Sequence, residues 1–128
     1  MIVTTDFDHT LLFEIGGVNH ETLNLISLHK LAHPEIELIV ISSRYDTEEN
    51  KEEIREFCRK NDLEIVAIIL TGEKDKFPFL KTAKSEIHFE DDVIEISMIN
   101  SAARAEGYEI EVVRCLNMEK WQAYQDSL

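Results

Sequence analysis

Short apolar runs alternate along this chain with stretches of helical periodicity, and that alternation limits its architecture more than any other feature. The runs at 2–5, 38–41, 63–70, 86–89 and 110–113 read as strands. The second, Leu38-Ile39-Val40-Ile41, is apolar throughout, as a strand covered on both faces would be. Asn19 predicts an N-cap for a helix over 20–32, with Leu25, Leu28 and Ala32 on one face and His33-Pro34 as its stop. Asp46 or Thr47 caps a second helix over 48–60 whose Ile54, Phe57 and Cys58 face inward. Pro78 suits the first turn of a short helix. Val93, Ile96, Ile99 and Ala103 mark a further helix ending at Gly107, and a last one is expected around 118–124. Gly16-Gly17 reads as a turn in a short excursion after the first strand. Such alternation implies right-handed βαβ units. The expected fold is α/β: one domain over 1–128, a Rossmann-like, doubly wound, five-stranded parallel sheet in three layers.

A chain of 128 residues, 44% hydrophobic and 30% charged, can bury one core without staples. No apolar run approaches the length of a membrane span. The start, Met1-Ile2-Val3-Thr4-Thr5-Asp6, has neither a basic segment nor a long apolar one, so a cytoplasmic location is expected. Cys58 and Cys115 read as reduced, buried side chains. The net charge of −13 repels nucleic acid and anionic membranes at long range, and would help recruit a divalent cation.

In an open parallel sheet, ligands bind at the carboxyl ends of the strands. Asp6, Asp8 and Thr10 follow the first strand, and Ser42, Ser43 and Arg44 the second. Lys76 comes after the third, and Glu90, Asp91 and Asp92 after the fourth. Residues two apart in extended backbone point the same way, so Asp6 and Asp8 can share a pocket. Bringing Asp91 and Asp92 beside them demands raised pKa values or a cation. Mg²⁺ answers that demand and can hold a phosphate oxygen. Ser42 supplies a hydroxyl and Lys76 a charge for the other phosphate oxygens.

Asp6-Phe7-Asp8-His9-Thr10-Leu11 resembles the DxDxT signature of the haloacid dehalogenase-like phosphohydrolases. Ile39-Val40-Ile41-Ser42-Ser43-Arg44, Lys76 and His88-Phe89-Glu90-Asp91-Asp92 resemble that family's second, third and fourth motifs, in order. The resemblance covers about residues 1–115. It implies a Mg²⁺-dependent phosphomonoester hydrolase in which Asp6 attacks phosphorus and becomes an aspartyl phosphate. Asp8 would serve as general acid, then base. Mg²⁺ would be held by Asp6, the Asp8 carbonyl and Asp91, with Asp92 direct or through water. Thr10 would brace the loop and Ser42 bind the phosphoryl group. An acid at position 8 points to phosphatases or phosphomutases, since dehalogenases and ion-pumping ATPases of the family lack it. Lys74, Lys81 and Lys84 compete with Lys76, but Pro78 sets Lys76 at a helix start, on the active rim. The chain is too short after Thr10 and after Leu70 for a cap domain. Capless relatives often act on macromolecular phosphoesters or borrow a lid from another subunit. The phosphorylated substrate, small or macromolecular, and the choice between monomer and dimer stay open.

Ser42-Ser43-Arg44 also resembles the Ser-Gly-Arg run of polynucleotide 3′-phosphatases, a reading the charge of −13 opposes. A receiver or non-catalytic phosphate-binding domain is a second alternative. Receivers carry their phosphoacceptor after the third strand, where this chain has Thr71-Gly72. Several residues have plainer readings. Asp91 and Asp92 suit a helix N-terminus, and Arg44 could bind substrate or pair with Asp46 and nearby glutamates. His29 and His33 have zinc-like i,i+4 spacing but no evident third ligand. His9 is expected to face away from the metal, His88 to be structural, and Trp121 and Tyr124 to pack a last helix.

Overall fold

A computed structural model describes residues 1–13, 16–115 and 126–127. The element order is β1 (Ile2–Thr5), α1 (His20–Ala32), β2 (Glu37–Ser42), α2 (Glu48–Lys60), β3 (Ala67–Leu70), α3 (Phe77–Ala83), β4 (Ser85–Glu90), α4 (Val93–Glu106) and β5 (Glu111–Arg114). All four strand pairings are parallel, in the order β3-β2-β1-β4-β5. This is a Rossmann-like α/β sheet with four helices among the described residues. The helix expected around 118–124, with Trp121 and Tyr124, lies outside them.

Side chains alternate across the central strands, and each face gathers its own core. Val3, Leu38, Val40, Ile87 and Phe89 join Ile26 of α1 and Ile54, Phe57 and Cys58 of α2 on one face. Ile41 joins Phe77 and Leu80 of α3 and Ile99 and Ala103 of α4 on the other. The helices start and stop where local chemistry directs. Asn19 and Thr47 accept from Thr22 N and Asn50 N at the starts of α1 and α2. Gly107 ends α4 at φ 65°, a left-handed conformation that glycine enters without a Cβ clash. Cys58 and Cys115 are free and buried. No helix among the described residues is long and apolar enough to cross a membrane.

Three local expectations need correction. The third strand is only Ala67–Leu70, because Ile39 is the first β2 residue with a partner there. Leu63 and Ile65 pack against the core before the ladder begins. The inward face of α1 is Thr22 and Ile26, with Leu25 packed against the same core and His29 edge-on to Phe89 at 5.3 Å, while Leu28 and Ala32 are exposed. Val93 is also exposed, at the outer end of α4, and the helix turns in only from Ile96 onward.

Candidate active site

β1 lies between β2 and β4, so successive connections leave it toward opposite halves of the sheet. A crevice opens at that switch point, outside the carboxyl ends of the strands. Here it is a cavity of about 140 Å³ lined by Asp6, Asp8, Lys76, Asp91 and Glu95, with Glu90 at its base. A larger surface groove of about 520 Å³ lies at the amino ends of β4 and β5, beside Glu86, Tyr108 and Glu111. The groups that could hold a metal lie in the smaller cavity.

Lys76 is the centre of the site. It immediately precedes α3, and Pro78 in the first turn fixes the entry to that helix. Its Nζ donates to Glu90 Oε1 at 2.7 Å and lies 2.9 Å from Asp6 Oδ1. Thr10 Oγ1 lies 3.2 Å from Asp6 Oδ2 and 3.0 Å from Asp91 Oδ1, so one hydroxyl bridges the two acids. Asp6, Glu90 and Asp91 each place a carboxylate oxygen within 4.8 Å of the others, and all three residues are buried. One ammonium cannot balance three carboxylates. Burial raises the Asp6 pKa from 3.8 to about 6, with Lys76 opposing and Glu90 adding to the rise. Burial works against the Lys76 ammonium too, but Asp6 and Glu90 outweigh it and hold Lys76 protonated well above the usual lysine range.

Asp8 turns to a different partner. Arg44 Nε and Nη2 donate to its two oxygens at 2.9 and 2.7 Å, a bidentate pair. Arg44 Nη1 bonds Glu53 and Asn50, and the guanidinium sits 5.1 Å above the Phe7 ring. Arg44 is therefore engaged by Asp8 and Glu53, while Asp46 pairs with Lys51.

The remaining sequence candidates fall around this centre. Ser42 is buried and its Oγ accepts from Arg44 N, whereas Ser43 lines the cavity. Asp92 also lines it, and its Oδ1 accepts from Ile94 N at 2.9 Å as the N-cap of α4. His9, at φ 65°, borders the cavity and is outside the group of carboxylates that could hold a metal. Lys81 pairs with Glu106 and Lys84 ends α3, so neither reaches the carboxylates. His29 Nδ1 bonds Leu25 O, and His33 sits near Glu35.

Glu90 is the residue that the sequence placed at a strand end without a role. A signal was available: Glu90 and His88 alternate with Ile87 and Phe89, so one face of this strand carries two ionisable side chains into the core. His88 Nε2 lies 3.1 Å from Glu90 Oε1, and its Nδ1 lies 2.8 Å from Thr4 Oγ1. Burial and the Lys76 charge push the His88 pKa down to about 3.

Comparison of the chain with protein-family models, curated proteins and solved structures returns no match.

Proposed function

We propose that the chain is a Mg²⁺-dependent phosphomonoesterase of the haloacid dehalogenase-like type, without a cap domain, that works through an aspartyl phosphate on Asp6. The observation that carries this reading is the convergence of Asp6, Asp91 and Thr10 with a buried Lys76 at the switch point of a parallel sheet.

The donor set suits a hard divalent cation: clustered carboxylate oxygens, with Asp6 disfavoured as a bare anion. Asp6 and Asp91 are the better ligands, since Glu90 Oε1 already accepts from Lys76 and faces His88 Nε2. Bound there, Mg²⁺ would neutralise carboxylate charge and polarise the phosphoryl group. Asp6 Oδ attacks phosphorus as the bond to the leaving oxygen breaks, and Asp8 gives that oxygen a proton. A water then attacks the aspartyl phosphate and Asp8 takes its proton, which returns both acids to their starting state. To act, Asp8 must first come off Arg44 and take up a proton from solvent, since both its oxygens accept from the guanidinium here; Glu53 and Asn50 are the partners that Arg44 then retains. Lys76 holds Asp6 in line and stabilises charge on the transferred group. The test is hydrolysis of an aryl phosphate with Mg²⁺ and with chelator. Metal-dependent turnover supports the reading. Its absence from folded, Mg²⁺-loaded protein, on aryl and on peptide or nucleotide phosphates alike, overturns it.

The acid cluster also predicts a pH effect on the metal-free protein. Between about pH 4 and 6 the folded Asp6 holds a proton that the unfolded chain has released. Stability therefore falls as pH rises through that window, by up to about 3 kcal/mol. Thermal melts of the wild type, read as a difference from Asp6→Asn at each pH, will show this loss. Mg²⁺ will reverse it above pH 6 and do little below pH 4.

A further inference from the structure

The site does not end at Glu90. A buried polar chain continues from it into the sheet, through His88 and Thr4 to Ser85. It exists because of an irregularity in register. Ile2 pairs with Ser85 but Val3 with Ile87, so one extra β4 residue is accommodated and Thr4 comes to face His88.

The chain has a direction. Glu90 Oε1 accepts from the Lys76 ammonium, so the ring nitrogen facing it, Nε2, is the donor. Nδ1 is then an acceptor for the Thr4 hydroxyl at 2.8 Å. Thr4 has then spent its one proton, so Ser85 Oγ, 2.8 Å from Thr4 Oγ1 and 3.0 Å from Ile87 O, gives its own single proton to Thr4. Each link is satisfied by the one behind it, and the last contact is Lys76 on Asp6. Lysine is a point charge on a flexible four-carbon stem, so the place of its ammonium is set by its acceptors. One of the two is Asp6, which has to be free to react. The fixed one must be Glu90, whose Oε2 accepts from Asp92 N at 3.4 Å and whose Oε1, the oxygen that takes Lys76, faces the His88 ring.

We propose that His88 is a positioning residue: the Nε2–H tautomer, selected by Thr4, orients Glu90, and Glu90 in turn seats Lys76 against Asp6. This rests on the phosphohydrolase reading for its catalytic consequence, but the seating itself can be read without turnover.

The test uses three readouts on the full chain. In metal-free, ¹⁵N-histidine-labelled protein, His88 will show a proton on Nε2 and none on Nδ1; the opposite tautomer overturns the proposal. His88→Gln places an amide nitrogen where Nε2 was, whereas His88→Asn reaches only the Nδ1 position, and both leave a polar group in the same core. The ¹⁵N–¹H signal of the Lys76 ammonium, slow to exchange when bonded on both sides, will persist in His88→Gln and vanish in His88→Asn. With aryl phosphate, His88→Gln will keep most of the wild-type kcat, and His88→Asn will lose on the order of 10²-fold, the scale of a misplaced reacting group. Tautomer and ammonium signals as stated, with no hydrolysis even by the wild type, uphold the seating and sink the phosphohydrolase reading. Hydrolysis by the wild type with both variants equally impaired in both readouts means that His88 only fills the core.

Discussion

Asp6→Asn will abolish Mg²⁺-dependent phosphate hydrolysis, lowering kcat by at least about 10³-fold, and will give a more stable protein. The two effects share a cause. The carboxylate proposed to attack phosphorus is the one whose ionised form the fold disfavours, since it is buried beside Glu90 and the single ammonium of Lys76 serves both. An amide of nearly the same shape removes the nucleophile and the charge together. Residual rates after loss of a nucleophile fall by several orders of magnitude in enzymes of covalent mechanism. The measurements are single-turnover hydrolysis and thermal melting at pH 7.5 without metal. A variant that stays active removes Asp6 from the chemistry, and one that is active and no more stable removes the electrostatic account as well.

Lys76→Met will have the largest effect on the fold. It leaves Asp6, Glu90 and Asp91 without their cation in a buried cluster. Breaking a buried ion pair by removing one partner costs about 3–5 kcal/mol, because the survivors remain desolvated. Urea unfolding at pH 7.5 will show a loss of this size. Mg²⁺ will recover part of it, since a divalent ion can stand in as the missing positive charge, and acidification to pH 5 will recover part by protonating Asp6. If methionine is tolerated without loss at pH 7.5, the carboxylates are balanced by something other than Lys76.

The sequence carried the fold because its signals were local and mutually consistent. Asn19, Thr47, Pro78 and Gly107 each mark a helix end through a hydrogen bond or a backbone angle, and the structure puts all four where the chemistry predicts. The inward face of α1 was less legible. Periodicity assigns Leu25, Leu28 and Ala32 to the core; Leu25 packs against it, but Leu28 and Ala32 are exposed, and Thr22 and Ile26 are what the sheet covers. The site was legible as a set of strand ends. Asp6, Lys76 and Asp91 are brought together, and they follow β1, β3 and β4. Pairings within that set were not legible, because spacing along the chain does not say which acid takes which cation. Asp6 and Asp8 lie two apart, yet one bonds Lys76 and the other Arg44. Glu90 escaped because strand-end acids suggest exposure, while this one is 1% exposed and its partners come from α3's entry and from its own strand.

Lys76 hangs on the shortest helix among the described residues. α3 has seven residues, Phe77–Ala83, and stops at Lys84 in a left-handed conformation. A helix of that length has almost no stability of its own in water. What keeps it in place is the smaller of the two cores, where Phe77 and Leu80 meet Ile41, Ile99 and Ala103. The cation of the site is thus moored to a helix that depends on its packing, while Asp6 directly follows the central strand of the sheet. Such seams open before the whole chain does. Loosening of Leu80 from its socket would unseat Lys76 first, and the sheet can outlast the site it carries.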